Sequence, residues 1–318
     1  MSLKPEADAA RVHALLHEQF AGEVADVLPL PGGAFSRAFA FTAGGLAYVI
    51  RLSSAPQAAE SFAKDDYAWR HFASPVLPIP RVVATGPTAG GHYAISERVP
   101  GRTLEEISPG ERRPLLPATL DTLDAIARAD VSASRGYGDW GDDGNGRFAS
   151  WRDYLAAIVE NEAEGFYRDW HALFRDDALE RGVYEVVYRR MLQLVVHCPE
   201  ERALLHNDYW FENILADGGR VTGVIDWGNA LYGDPLYDVA RLAWGSDWPG
   251  WWFDGGAAVL HARYGAAPRY AERIACYQCH IGLDDLRYYA KTGRRPFYEW
   301  ARDKLLALVA GGSDGTTA

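Results

Sequence analysis

The chain reads as an α+β protein in two parts, a small β-rich N-terminal piece with one main helix and a larger, mostly helical C-terminal piece. Three observations predict it. Between Val24 and Ala55, short apolar runs are broken by Pro31-Gly32-Gly33 and Gly44-Gly45, the punctuation of strands joined by tight turns. Beyond Pro100-Gly101 the apolar residues recur instead at helical spacing over long windows. One short break separates the two patterns, so the chain divides into residues 1–99, residues 100–310 and a tail, 311–318, whose small polar residues predict disorder. Two packed pieces joined in this way are expected to leave a cleft between them.

The elements follow in order. Ala9, Val12, Leu15, Leu16 and Phe20 alternate with charges at helical spacing. Strands are predicted over Val24 to Leu30, Ala38 to Phe41 and Tyr48 to Leu52. A helix follows from about Gln57 to Ala73, with Phe62, Tyr67 or Trp69, and Phe72 as its inner face. Pro78 and Pro80 stop it, because a proline ring neither donates a hydrogen bond nor fits the preceding turn. Two more strands, Arg81 to Thr85 and Tyr93 to Val99, bring the total to about five. In the second part, helices are predicted over Arg112 to Ala129, Trp151 to Glu164, Ala178 to His197, Pro235 to Trp244, Ala257 to Tyr264, Pro268 to Lys291 and Pro296 to Ala310. Gly136 to Gly146 is a low-complexity interruption rich in Gly and Asp.

With 318 residues, 48% of them hydrophobic and 24% charged, each part has enough chain to bury a core without disulfides or a structural metal. No stretch is long and apolar enough to span a bilayer, and the first thirty residues lack an uninterrupted apolar core, so a cytoplasmic protein outside membranes is expected. Its 43 acidic and 32 basic residues give a formal net charge of -11, which disfavours nucleic-acid phosphate and favours cationic partners. The three cysteines, Cys198, Cys276 and Cys279, fit a reducing compartment. Cys276-Tyr277-Gln278-Cys279-His280 matches a haem-attachment pattern, but that chemistry needs an exported chain. Cys276, Cys279, Leu283 and Leu286 recur at helical spacing and read as core.

The densest chemistry lies in His206-Asn207-Asp208-Tyr209-Trp210-Phe211-Glu212-Asn213, followed by Val224-Ile225-Asp226-Trp227. Phosphoryl transfer from ATP needs a carboxylate to receive a hydroxyl proton and oxygen ligands that hold magnesium against the phosphates. Asp208 supplies the base, Asn213 five residues on supplies an amide oxygen, and Asp226, thirteen residues further at the end of an apolar run, supplies a metal carboxylate. His206 reads as orienting the loop by hydrogen bonds. Asp234-Pro235 and Asp238 read mainly as a helix start and a packing device.

The run from His206 to Asp238 resembles the signature of the aminoglycoside phosphotransferase and choline kinase superfamily. The likeness extends through Ser36-Arg37-Ala38-Phe39, Tyr48-Val49-Ile50-Arg51, Arg70-His71-Phe72-Ala73-Ser74, Leu77-Pro78-Ile79-Pro80, Trp151-Arg152-Asp153 and Ile281-Gly282-Leu283-Asp284, which are similar in order and spacing to the hygromycin-phosphorylating members. It covers about residues 25 to 310 and implies a protein-kinase-like bilobal fold, ATP and Mg2+ as cofactors, and transfer to a hydroxyl of a cationic aminocyclitol. Most members carry Lys on the third strand, paired with Glu on the next helix; here Arg51 stands there, with Asp65, or in reserve Asp66, as its partner. The bulky Tyr209-Trp210-Phe211-Glu212 also departs from the smaller residues of many members.

On the nucleotide side, Gly33 and Ser36 are expected to cover the phosphates and the backbone from Glu97 to Val99 to hold the adenine. A Gly pair can equally form a bare turn. For the acceptor, the carboxylates of Glu212, Asp284 and Asp285, with Glu160, Glu162 and Glu164 on an earlier helix, are candidates to bind amines. Another hydroxylated metabolite as substrate, or a nucleotide-binding module without turnover, are the competing readings.

Overall fold

The structure, a computed structural model, describes residues 9–20, 24–33, 35–246 and 255–311. The tail expected to be disordered lies, from residue 312 on, outside the described residues. The chain divides into two compact units. The first takes in the chain up to Asp130 together with Gly141–Gly144 and Asp208–Ala230; the second comprises Val131–Trp140, Asn145–Asn207 and the chain from Leu231 onward. The first unit thus runs past residue 99 and recruits a segment from far along the sequence.

In the first unit, α1 (Ala9–Gln19) precedes strands β1 (Val24–Leu30), β2 (Ser36–Ala43) and β3 (Leu46–Ser53). Helix α2 (Ala58–Phe72) and strands β4 (Val82–Thr88) and β5 (Gly91–Glu97) follow, giving an antiparallel sheet in the order β1-β2-β3-β5-β4. Strand residues alternate between faces. Phe39, Phe41, Tyr48, Ile50, Leu52, Tyr93 and Ile95 form one core with Val12 and Leu16 of α1, whereas Ala94 packs with Ala58 and Phe62 of α2. Each such large apolar side chain contributes about 1.5–3 kcal/mol on burial. Removing the fully buried Ile50 side chain as Ile50→Ala would cost about 2–5 kcal/mol, because the cavity only partly closes. Arg51, between Ile50 and Leu52, must therefore leave β3 on the α2 side.

The buried face of α2 is Ala58, Phe62, Lys64, Asp65, Ala68 and Phe72. Tyr67 and Trp69, expected there, are only half-buried, because two polar residues with partners take up that face. The helix ends before its prolines, where Ser74 and Leu77 exchange backbone hydrogen bonds of 3.0 and 3.1 Å. The unit is completed by β6 (Arg102–Thr103), α3 (Pro109–Arg112), α4 (Leu116–Ala127), β10 (Ile214–Asp217) and β11 (Arg220–Val224), with sheet order β11-β10-β6. The single helix expected from Arg112 is split by the turn Arg113–Leu115, where Pro114 and Pro117 lack the N–H that a continuous helix needs.

The second unit carries a four-stranded sheet in the order β8-β7-β12-β9, built from β7 (Tyr137–Trp140), β8 (Gly146–Phe148), β9 (Ala203–Leu205) and β12 (Leu231–Gly233). The Gly- and Asp-rich interruption is therefore largely a β-hairpin. Helices α5 (Trp151–Ala156), α6 (Ala172–Arg175), α7 (Arg181–Leu194), α8 (Leu236–Gly245), α9 (Gly256–Tyr264), α10 (Tyr270–Thr292) and α11 (Arg295–Gly311) make up the rest. The long α10 buries Cys276, Cys279, Leu283 and Leu286, and Gly282 allows it to approach α11, since a Cβ there would meet Leu305 at 2.6 Å. The helix expected from Trp151 to Glu164 ends much earlier. Its last carbonyls find side-chain donors: Tyr188 on Ala156 at 3.0 Å, Tyr184 on Ile158 at 3.0 Å and Trp170 on Glu160 at 2.7 Å. Those donors replace the next helical turn, and Glu160 is extended, so Glu160, Glu162 and Glu164 lie beyond the helix rather than on it. Among the described residues no helix is long and apolar enough to cross a membrane.

Candidate active site

The loop from β9 to β10 is held from both ends by backbone hydrogen bonds. In the second unit, the buried carboxylate of Asp238 accepts the N–H of His206 at 2.7 Å and of Asn207 at 2.9 Å. Burial pushes the Asp238 carboxyl up to about 6 despite these donors. His206 is itself fully buried, and it is its backbone amide that Asp238 grips. Asn207 takes a left-handed backbone, φ 62°, a conformation that turns the chain sharply just before Asp208.

In the first unit the loop closes on itself. Trp210 donates its N–H to the Asp208 carbonyl at 2.9 Å, and the Asn213 side-chain Nδ2 reaches the same oxygen at 2.9 Å. Asn213 is buried, and this bond fixes which end of its amide is the nitrogen, leaving Oδ1 as the end that can serve a cation. Tyr209 is buried with its hydroxyl on the Thr119 carbonyl at 2.9 Å, and Phe211 is buried under the Arg112 guanidinium, 4.5 Å from its ring. The bulky aromatics of this loop thus anchor it in the unit's interior. Glu212 is exposed, and partial desolvation, with Glu105 and Asp226 nearby, raises its carboxyl above the usual range.

Asp226 follows β11 and also takes a left-handed backbone, φ 65°. Ile225 donates to the Asn213 carbonyl at 3.0 Å, which sets the strand carrying Asp226 beside the loop carrying Asn213. Arg51 joins this group from β3. One of its terminal nitrogens pairs with Asp65 of α2, and the other lies 3.4 Å from Asp226 Oδ1. Burial opposes the charge on Arg51, but Asp65 and then Asp226 outweigh it and its pKa is raised. Asp65 in turn accepts the Trp227 N–H at 2.8 Å. Asp66, the reserve partner, points elsewhere and pairs with Arg70 at 2.8 Å, the i,i+4 neighbour on the helix surface.

The expected nucleotide residues fall on the same unit. Gly32 and Gly33 have positive φ, and a Cβ on Gly33 would meet the Ser36 carbonyl at 2.9 Å, so the turn before β2 needs glycine. Ser36 opens β2 opposite Ser53 of β3. The Glu97 N–H is taken by the Arg81 carbonyl and the Arg98 N–H by the Ala47 carbonyl. Val99 packs over Gly223, where a Cβ would lie 2.7 Å from its methyl.

Asp284 and Asp285 lie on α10 in the second unit. Arg287 is buried between the rings of Tyr167 and Trp170, 4.3 and 5.0 Å from their centres, and donates to Asp284 at 2.8 Å and to Glu162 at 3.4 Å. Burial opposes ionisation of Asp284, yet Arg287, with Arg241 and His280, holds its carboxyl below the usual range. Asp285 accepts the Trp244 indole N–H at 2.8 Å, but burial pushes its carboxyl up to about 6.

Three residues that the sequence did not single out, Lys64, Asn229 and Arg287, and one it read mainly as a packing device, Asp238, shape these sites. Lys64, 1% exposed on α2, donates from Nζ to the Ala230 carbonyl at 2.9 Å. Asn229 reaches the Asp208 carboxylate from its Nδ2 at 3.4 Å. Asp238 grips the loop rather than only packing, and Arg287 neutralises Asp284. Only Asp238 carried a sequence signal, its place in the motif; the others look like ordinary surface residues until the fold is known. Asp234 accepts the Leu236 N–H at 3.0 Å, as a helix-start residue does, and is also paired with Arg273 and bonded to Tyr277, with the helix starting at Leu236.

Residues 26–275 match the family model described as the phosphotransferase enzyme family, APH. Hygromycin-B 4-O-kinase of Escherichia coli is 35% identical over 317 residues, 98% of this chain and 88% of that protein. The crystal structure of aminoglycoside phosphotransferase APH(4)-Ia matches with a TM-score of 0.84 at 33% identity, covering 96% of this chain and 99% of the other. A thermostable mutant of that enzyme, in ternary complex with AMP-PNP and hygromycin B, matches at 0.84 and 34% over the same shares. The GDP complex of aminoglycoside 2'-phosphotransferase-IIIa, at 16% identity and a TM-score of 0.65, shares the fold alone. The kinase-like fold and the loop chemistry therefore lead to one conclusion: this chain belongs to the APH family of phosphotransferase enzymes.

Proposed function

We propose that this enzyme moves the γ-phosphate of ATP to a hydroxyl of a hygromycin-like aminocyclitol, with Asp208 receiving the hydroxyl proton. The observation that carries the reading is a chain of contacts within one unit: Asn213 bonds the Asp208 carbonyl, the strand end carrying Asp226 bonds Asn213, and Asp226 meets the cation of Arg51. The relatives named for hygromycin B, and the complex with an ATP analogue, support the choice of both substrates.

The residues fit a magnesium ion. Asn213 Oδ1 and the half-exposed Asp226 carboxylate are hard oxygen donors, and they would hold it. Bound there, magnesium offsets the charge gathering on the phosphate oxygens. Arg51 grips the phosphates while Asp65 fixes its direction, and Gly33 and Ser36 cover them. Because the sheet already uses the Glu97 and Arg98 amides, Val99 offers the better backbone contact for the adenine. In the step itself the acceptor oxygen bonds to the γ-phosphorus, the bond to the β-phosphate oxygen breaks, ADP leaves, and the hydroxyl proton passes to Asp208.

Acceptor amines are recognised by carboxylates through charge-assisted hydrogen bonds. Asp284 is the strongest candidate because it stays ionised, whereas Asp285 is partly protonated near neutrality. Glu212 adds charge beside the base. The reading places the enzyme in the cytoplasm, where ATP is made available. It is tested by ATP consumption over an acceptor panel: hygromycin B or a related aminocyclitol should exceed choline and neutral sugars, with a product heavier by one phosphoryl group. Strong turnover of a neutral sugar with no response to any aminoglycoside would assign the enzyme to another metabolite.

A further inference from the structure

We infer that Asn229 is a positioning residue for the base, and that the turn carrying it ties the direction of the Asp208 carboxylate to helix α2. The inference rests on the reading of Asp208 as base. Asn229 ends the short turn Trp227–Asn229 that follows Asp226. Three points of that segment are fastened to α2. The Trp227 N–H is held by Asp65 at 2.8 Å, Gly228 lies so close to Ser61 that a Cβ would run into its hydroxyl, and the Ala230 carbonyl takes the Lys64 ammonium at 2.9 Å.

Burying a lysine to 1% exposure is costly unless its ammonium is hydrogen-bonded inside the unit, and the Ala230 carbonyl is one such partner. With its neighbours fixed on one side, Asn229 is the residue of the turn whose side chain reaches the other way, its Nδ2 donating to Asp208 Oδ2 at 3.4 Å. A carboxylate has two oxygens and one soft torsion. A donor on Oδ2 selects the torsion and directs Oδ1 toward the acceptor hydroxyl. The same α2 supplies Asp65 to Arg51, so the helix that aims the phosphate-gripping cation also aims the base.

The test uses the full-length enzyme with Mg2+, ATP and hygromycin B. Asn229→Ala should lower kcat by about tenfold, part of the ~10²–10⁴ that a general base supplies, with the KM for ATP and for the acceptor unchanged. Asn229→His, whose ring nitrogen can replace the amide donor, should recover part of that loss, and the isosteric Asn229→Asp, which cannot donate, should not. Lys64→Met should lower kcat by a similar factor, and the double variant with Asn229→Ala should lose little more than either single one, because both act through one turn.

Independent, multiplying losses would overturn the tie to α2, as would unfolding of Lys64→Met alone with Asn229→Ala at wild-type activity. A rise in acceptor KM at constant kcat would make Asn229 a substrate contact instead and overturn the inference. Asp208→Asn is run beside them. If it keeps near-normal turnover, the reading of the base fails; if it is inactive while Asn229→Ala is normal, only the positioning role fails.

Discussion

The loop around Asp208 and the acidic stretch of α10 contain similar residue types and use them in opposite ways. In the loop, polar side chains bind backbone and so shape the turn that carries Asp208 and Asp226, whose carboxylates meet Asn229 and Arg51: Asn213 grips a carbonyl, Asp238 grips two amides, and Asp65 grips one. On α10 the carboxylates are already matched by side chains, Asp284 by Arg287 and Asp285 by Trp244. The difference shows that a net charge of -11 is a poor guide to where a cation binds. What matters is how each carboxylate is held: Asp284 stays ionised beside Arg287 with part of its side chain exposed, whereas burial draws Asp285 toward protonation.

The largest effect belongs to the loop. Asp208→Asn should cut turnover by at least about a hundredfold while leaving ATP binding nearly intact, because it removes the proton acceptor and little else. Titration with a fluorescent ATP analogue beside a turnover assay checks both halves. Asn213→Ala and Asp226→Ala should raise the Mg2+ concentration needed for half-maximal activity, each having lost a hard oxygen donor. An unchanged Mg2+ dependence in either variant would count against its assignment.

Much of the loop's arrangement was legible in the sequence because spacing constrains it. An Asp and an Asn five residues apart, with a second Asp at the end of a later strand, leave few ways to be arranged. The strands were legible for a similar reason, since alternation and glycine turns are local. The end of α5 was not, because the groups that terminate it, Trp170, Tyr184 and Tyr188, are distant in sequence. Lys64 was not, because nothing in a helical Lys foretells a carbonyl 166 residues away. Arg51 pairs with Asp65 and not with its neighbour Asp66 because only Asp65 lies on the buried face of α2.

Smaller effects sharpen the contrast with α10. Asp284→Asn should raise the acceptor KM by about tenfold, the order of one charge-assisted hydrogen bond, and Asp285→Asn by less, since that carboxyl is half-titrated near pH 6. Equal effects of the two would remove the distinction.

The smallest concerns stability alone. His280, bonded to the Tyr237 hydroxyl at 2.9 Å, is buried and its pKa is lowered to about 3 from an ordinary 6.5. Its folded form resists protonation while the unfolded chain accepts it, so this contribution is full above pH 6.5 and is lost as pH falls toward 3. His280→Gln should therefore lose less Tm than the wild type between pH 7.5 and 5, a comparison in which Asp238 and Asp285 act alike in both proteins. A parallel fall of the two Tm values would show that His280 takes no part.

The separation of chemistry from recognition is tested most directly by titrating ATP and hygromycin B in turn against two variants, Arg51→Met and Asp284→Asn. Arg51 contacts Asp65 and Asp226 within the first unit, so Arg51→Met should raise the KM for ATP more than that for hygromycin B. Asp284→Asn should do the reverse, with kcat for saturated enzyme close to the wild type. The account is contradicted if Asp284→Asn alters the ATP titration as strongly as the hygromycin one, or if Arg51→Met leaves the ATP titration unchanged.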